Sequence, residues 1–137
     1  LLAAYVISQV ILTAATYCRR LVFPKLYNGK TVQEELKNGN VALALSFAGR
    51  KIGTAFAISI AANIVVYEVY EISTIFIPWI IVSIVAILVL KLISYIAERI
   101  IFFKVSTMRE ILDDRNVAIG ALHAVIYISM AMLLAGL

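Results

Sequence analysis

Four long apolar runs constrain this chain more than any other feature: Leu1–Tyr17, Val41–Val66, Ile75–Tyr95 and Val117–Leu137. Each complete run approaches the ~20 residues that a helix needs to cross a hydrocarbon layer ~30 Å thick. The runs are continuous and do not alternate, which favours helices over barrel strands. A helix also satisfies every backbone polar group within itself, as a bilayer interior demands. With 64% hydrophobic and 15% charged residues, the chain holds too much apolar surface for one small soluble core. The expected fold is therefore an all-α integral membrane protein with four transmembrane helices, residues 1–137 forming a single membrane domain. The first run is short and opens on Leu1, not Met, without a basic leader region, so its start is expected to be missing or trimmed. Pro78-Trp79 is expected at the interfacial start of the third span, with Trp79 as an amphipathic anchor.

The basic residues set an orientation. Arg19, Arg20, Lys25, Lys30 and Lys37 follow the first run, and Lys91, Arg99, Lys104, Arg109 and Arg115 occupy residues 91–115. Between Ile52 and Leu90 there is no Lys or Arg, and the short connection there carries Glu68 and Glu71. The positive-inside rule places both basic connections in the cytoplasm and both termini outside. The net charge of +4 follows from that topology, and a nucleic-acid partner is not expected. The single cysteine, Cys18, allows no internal disulfide and reads as a small residue at a helix end.

The chain also repeats itself. TVQEELKNGNVALALSFAG from Thr31 matches TMREILDDRNVAIGALHAV from Thr107 without gaps, pairing Glu34 with Glu110 and Asn40 with Asn116. Upstream, Arg20-LVFP-Lys25 matches Arg99-IIFF-Lys104. The expected design is a tandem parallel duplication of a two-helix unit, with repeats at 1–66 and 75–137 and short amphipathic cytoplasmic helices between the spans. Thr31…Glu34 and Thr107…Glu110 each read as a capping box. Asn40 and Asn116 stand at the span entrances, either capping a helix and bonding the neighbouring connector or contacting a substrate.

The string NVALALSFAG at Asn40–Gly49 and its echo NVAIGAL at Asn116 resemble the YjfL-like family of bacterial inner-membrane proteins, Domain of Unknown Function 350. The resemblance covers essentially the whole chain. It implies a bacterial inner-membrane location and a duplicated two-span unit, an association with membrane-stress and polyamine-related systems, and no catalytic residues. Arg50-Lys51 directly after Gly49 departs from the neutral residues expected there.

Several side chains stand out within the spans. Ala42, Ser46, Gly49, Gly53, Ala57 and Ala61 form a small-residue stripe on one helical face. Its GxxxG, Gly49 and Gly53, suits close helix packing, either inside the bundle or between subunits. Arg50 and Lys51 follow Asn40 by a helical distance of about 15 Å, a depth at which a cation costs about 2.5–3.5 kcal/mol. No acidic residue is expected at their depth, so snorkelling, an anion, a lipid headgroup or a carbonyl cluster must offset the charge. Asn116, Gly120, His123 and Tyr127 share a face of the fourth span, and His123 has no acidic or cysteine partner at ligand spacing. Hydrogen-bonded packing is the first reading for His123, with metal or proton relay second. Lys91 is expected to snorkel to the cytoplasmic surface, and Glu34, Glu35, Glu98, Glu110, Asp113 and Asp114 to pair with cations there.

No phosphate loop, zinc spacing or nucleophile elbow is present. An enzyme, a metal and a cofactor are thus not expected. The leading functional expectation is a non-enzymatic membrane-assembly or envelope-stress component, a homo-oligomer or partner of another membrane protein. The alternative is a small channel or transporter whose path passes Arg50, Lys51 and His123 and favours anions, anionic lipid included.

Overall fold

A computed structural model describes residues 2–22, 29, 31–65 and 72–136. The connection bearing Glu68 and Glu71, and the cations Lys25 and Lys30, lie outside the described residues. Among those described, the helices are α1 (Leu2–Val22), α2 (Val32–Lys37), α3 (Val41–Ser59), α4 (Ala61–Ile64), α5 (Ile72–Ile101), α6 (Thr107–Leu112) and α7 (Val117–Gly136). Three stretches are long and apolar enough to cross a membrane: Val41–Ile64, Thr74–Ile101 and Val117–Gly136. Ile77, Ile81, Ile84 and Leu88 of α5, and Val125 and Leu133 of α7, are exposed. Such large apolar faces need lipid as their solvent, and the chain is a membrane protein. α1 is also long, at 21 residues, but Ser8, Gln9, Thr13 and Thr16 dilute its apolar character.

The centre of the fold is a seam between α3 and α7. A Cβ on Gly49 would overlap Ala124, one on Gly120 would overlap the Ala42 backbone, and one on Gly53 would stand 2.8 Å from Tyr127 Cδ1. Ser46 faces His123, and Ala57 and Ala131 share a core cluster further along. The partners advance together along both helices, so α3 and α7 are parallel. Small residues permit this because lipid offers no hydrophobic drive for helix association, and close van der Waals contact must replace it. The small-residue stripe is therefore occupied inside the bundle.

α5 and α1 close the other sides. Ile87 and Leu90 of α5 pack on Ala57, Ile58, Tyr127 and Ala131, with Ile11, Leu12 and Ala15 of α1 against the cluster. At the far end Ile7, Ala61, Val65 and Trp79 form a second cluster. This corrects the expected interfacial role of Trp79, which is 1% exposed. The helix starts at Ile72, six residues before Pro78, so Trp79 falls about two turns inside and packs onto α1 and α4. The second span also departs from a single rod. α3 ends at Ser59, and the turn at Ile60 carries tight bonds from Ile60 N to Ala57 O, 3.3 Å, and from Asn63 N to Ile60 O, 3.0 Å. The third span outruns its expected end at Tyr95, because α5 continues through Glu98 to Ile101.

The connectors α2 and α6 sit at the other end of the seam. Thr31 caps α2 with a complete capping box: Thr31 Oγ1 accepts from Glu34 N, and Glu34 Oε2 accepts from Thr31 N at 3.1 Å. The expected second box at Thr107 does not form. Ser106 occupies the cap position without a side-chain bond, and Thr107 is already helical. Glu110 turns instead to the Asn116 amide, 3.0 Å away. The residue preceding each span Asn is left-handed, Gly39 at φ 74° and Arg115 at φ 50°. Ile111 and Leu112 of α6 are buried against Ala42 and Leu43.

Candidate functional site

The two span-entrance asparagines do different work. Asn40 is 1% exposed. Its Oδ1 accepts from Leu43 N at 3.0 Å, capping α3, and its Nδ2 donates to Glu35 Oε2 at 3.2 Å and to Ile111 O at 2.9 Å. Asn40 thus ties α3 to both connectors. Asn116 Oδ1 accepts from Ile119 N at 3.3 Å, and its amide goes to Glu110. The carboxylate partners are therefore Glu35 and Glu110, not Glu34 and Glu110 as the ungapped alignment pairs them. The Arg115 guanidinium adds a bond to Asn38 O at 3.3 Å and an approach of 4.0 Å to Glu35 Oε2.

Further along the seam, three helices bring polar groups onto His123, which is fully buried. Ser46 Oγ of α3 lies 3.0 Å from Nδ1. Arg50 Nη2, also of α3, lies 3.0 Å from Nε2. Glu98 Oε1 of α5 lies 2.8 Å from the same Nε2, and the Tyr127 ring stacks at 6.4 Å. The expectation that His123 lacks an acidic partner, and that Arg50 has no carboxylate at its depth, is thereby corrected. Side chains on a helix lean toward its N-terminus, so the Arg50 head reaches back from its own Cα to the level of His123. Glu98 arrives there because α5 runs past Tyr95. The Arg50 Nε is buried and has no hydrogen-bond partner among the described residues.

Arg50 also borders an open cavity of about 250 Å³ lined by residues of α1, α3, α5 and α7. Arg19, Arg50, Lys51 and Lys91 line it, with Glu98, Tyr127, Thr16, Thr54 and Tyr95. Lys51 Nζ donates to Thr16 Oγ1 and lies 5.4 Å from the Phe47 ring centroid. Thr54 Oγ1 is turned back to Arg50 O at 2.7 Å. Lys91 and Tyr95 are exposed and form the rim, whereas Ile87 and Tyr127 are buried and form the floor. The wall thus presents four cationic side chains and a single carboxylate, and that carboxylate is engaged by His123.

The structure brings together Arg50, Lys51, His123, Tyr127 and Lys91. It leaves Asn40 and Asn116 apart from them, at the connectors, and spends Gly49 and Gly53 on helix packing. Arg19, Ser46 and Glu98 belong to the same polar cluster; the sequence offered them only as an orienting cation, a packing residue and a cytoplasmic carboxylate, not as parts of one site. Their signal was present in part: Lys91, Tyr95 and Glu98 fall at steps of four and three on one face of α5. Among the described residues no group of three His, Cys, Asp or Glu side chains could hold a metal ion.

Comparison with curated proteins and with solved structures finds no match. The profile of the Domain of Unknown Function (DUF350) matches residues 1–137, the whole chain. With its apolar helices and their connectors all inside that match, the chain belongs to the DUF350 family.

Proposed function

We propose that this is a non-enzymatic, multi-pass inner-membrane protein whose working part is the cationic cavity, a binding site for an anionic group in transit through or lodged within the membrane domain. The observation that carries this reading is the excess of cations on one cavity wall. Arg19, Arg50, Lys51 and Lys91 face a space with one carboxylate, and Arg50 keeps a buried Nε without a partner among the described residues. Charges in an apolar setting are retained where they meet a counter-charge or a pathway. Guanidinium groups suit oxyanions because their fork matches two oxygens at once.

The reading includes four spans, with α1 as the first, both termini outside and the connectors α2 and α6 in the cytoplasm. A duplicated two-helix unit accounts for the seam. Ser46 and His123 meet across 77 residues, close to the spacing between Asn40 and Asn116. An assembly or envelope-stress role through oligomers gains less support, because the GxxxG that argued for a subunit interface is covered by α7.

The test is direct. The chain reconstituted in phosphatidylcholine vesicles should bind sulfate saturably and pass anions, and Arg50→Leu with Lys51→Leu should remove both. Vesicles with no binding and no flux, together with a protein partner co-purifying from membranes, would turn the reading over to the assembly role.

A further inference from the structure

Resting on the anion-binding reading above, we infer that the cavity takes its anion together with a proton, carried on His123. A ring nitrogen offers one hydrogen-bonding position, either a lone pair or an N–H. His123 Nε2 is claimed twice, by the donor Arg50 Nη2 at 3.0 Å and by the acceptor Glu98 Oε1 at 2.8 Å. Both cannot be hydrogen bonds in one protonation state. With Nε2 bare, the ring accepts from Arg50 and Nδ1–H donates to Ser46 Oγ. Arg50 is then held against the ring, and Glu98 is left to the cations of the cavity wall. When Nε2 takes a proton from water, the N–H donates to Glu98 and repels the guanidinium. Arg50 loses the one side-chain partner it has among the described residues and, with its Nε unpartnered among them, requires an anion in the cavity beside it. Anion binding and protonation of Nε2 therefore favour each other, and the linkage must be reciprocal. On this proposal Nδ1–H stays on Ser46 in both states and one proton is taken up per anion bound; a switch to the neutral tautomer, with Nδ1 accepting from Ser46 Oγ–H, would take up none and give a flat pH profile.

The charged and titratable groups against the ring, and those of the cavity wall that Arg50 and Glu98 share with it, are consistent with this exchange. Arg50 and Lys51 come from α3, Glu98 and Lys91 from α5, Arg19 from α1 and Tyr127 from α7 itself. Glu98 is the one carboxylate among them. The ligand chemistry is that of an oxyanion such as the phosphate group of a lipid or a free tetrahedral anion. At about 250 Å³ the cavity holds either.

The experiment measures sulfate binding to the full chain in phosphatidylcholine nanodiscs between about pH 8 and pH 5, the range in which imidazole exchanges its proton. Sulfate keeps its charge over that range. The dissociation constant should fall by up to about tenfold per pH unit across part of the range. His123→Gln can donate to Glu98 but cannot titrate, and should bind sulfate with a flat pH profile. Glu98→Gln keeps an acceptor oxygen but removes the negative charge that favours the protonated ring; it should flatten the profile as well and stands in should the first variant fold poorly. Wild-type binding that is tight but independent of pH would overturn the proton linkage and leave the anion site standing, as would both variants retaining the wild-type slope. An absence of sulfate binding at every pH, in phosphatidylcholine and with phosphatidylglycerol alike, would instead remove the anion site itself. Replacing part of the lipid by phosphatidylglycerol separates the sources: a lipid phosphate competes sulfate away with the same pH slope, whereas a free anion binds as before.

Discussion

The Asn40 amide donates to the Ile111 carbonyl at 2.9 Å, joining residues 71 positions apart in the chain. Asn40 also caps α3 and bonds Glu35, so one buried side chain locks the start of a span to both connectors. Asn116 makes its bonds within its own half of the chain. Asn40→Ala should therefore cost about 2–3 kcal/mol, the sum of a lost cap and a buried carbonyl left short of its donor. Asn116→Ala should cost about 1 kcal/mol, the cap alone. Thermal unfolding of the two variants in the same detergent checks the order. Equal losses would mean that the cross-connector bond contributes nothing.

The glycines of the seam make a second prediction. Gly120→Ala and Gly49→Ala push a methyl into the backbone of the partner helix, which must then move away. Overpacking of this kind costs about 1–3 kcal/mol. Gly136→Ala meets nothing within 4 Å and should be neutral or slightly stabilising. Unfolding temperatures that fail to separate the seam variants from Gly136→Ala would contradict the close packing of α3 on α7.

Arg50 and Lys51 should behave as functional rather than structural charges. Replacing both by leucine removes an insertion cost of about 2.5–3.5 kcal/mol for each cation placed centrally, so the double variant should reach the membrane at wild-type levels or above. Its sulfate affinity should fall by at least about tenfold, which is about 1.4 kcal/mol. Membrane-fraction yield and binding are read on the same preparations. Unchanged binding in a well-inserted double variant would remove these residues from the site.

Orientation is testable with impermeant thiol reagents on intact cells. Cys18 is exposed and is first replaced by serine. A cysteine at Tyr70 should then react from outside, and one at Gly29 should not. The reverse labelling would invert the topology and with it the side from which the cavity is approached.

Much of the architecture was legible as composition along a line. The second, third and fourth apolar runs became helical, the second broken at Ile60 and the third extended to Ile101, because crossing hydrocarbon requires length and apolarity, and both are local properties of sequence. Thr31…Glu34 was readable for the same reason, since a capping box closes within three residues. The second box failed because Thr107…Glu110 competes with a demand just beyond its three-residue window. Glu110 is claimed by Asn116, and the helix begins one residue after Ser106. Trp79 was misplaced on similar grounds, since its rank as an anchor depended on where α5 starts.

What sequence alone determined, then, is that this chain lives in a membrane as apolar helices joined by basic connectors, and that Arg50, Lys51 and His123 are costly enough there to need a reason. The partners of those residues were decided only by tertiary structure. Glu98 lies 25 residues before His123 in the chain, and nothing local to either residue announces the 2.8 Å contact. It exists because close packing of α3 on α7 sets the height of His123, and the extra turns of α5 carry a carboxylate to that height. Spacing along one helix reports which residues share a face. The register between helices is set by side-chain volumes at the seam, and that register chose the cavity, its cations and the histidine ring beside them.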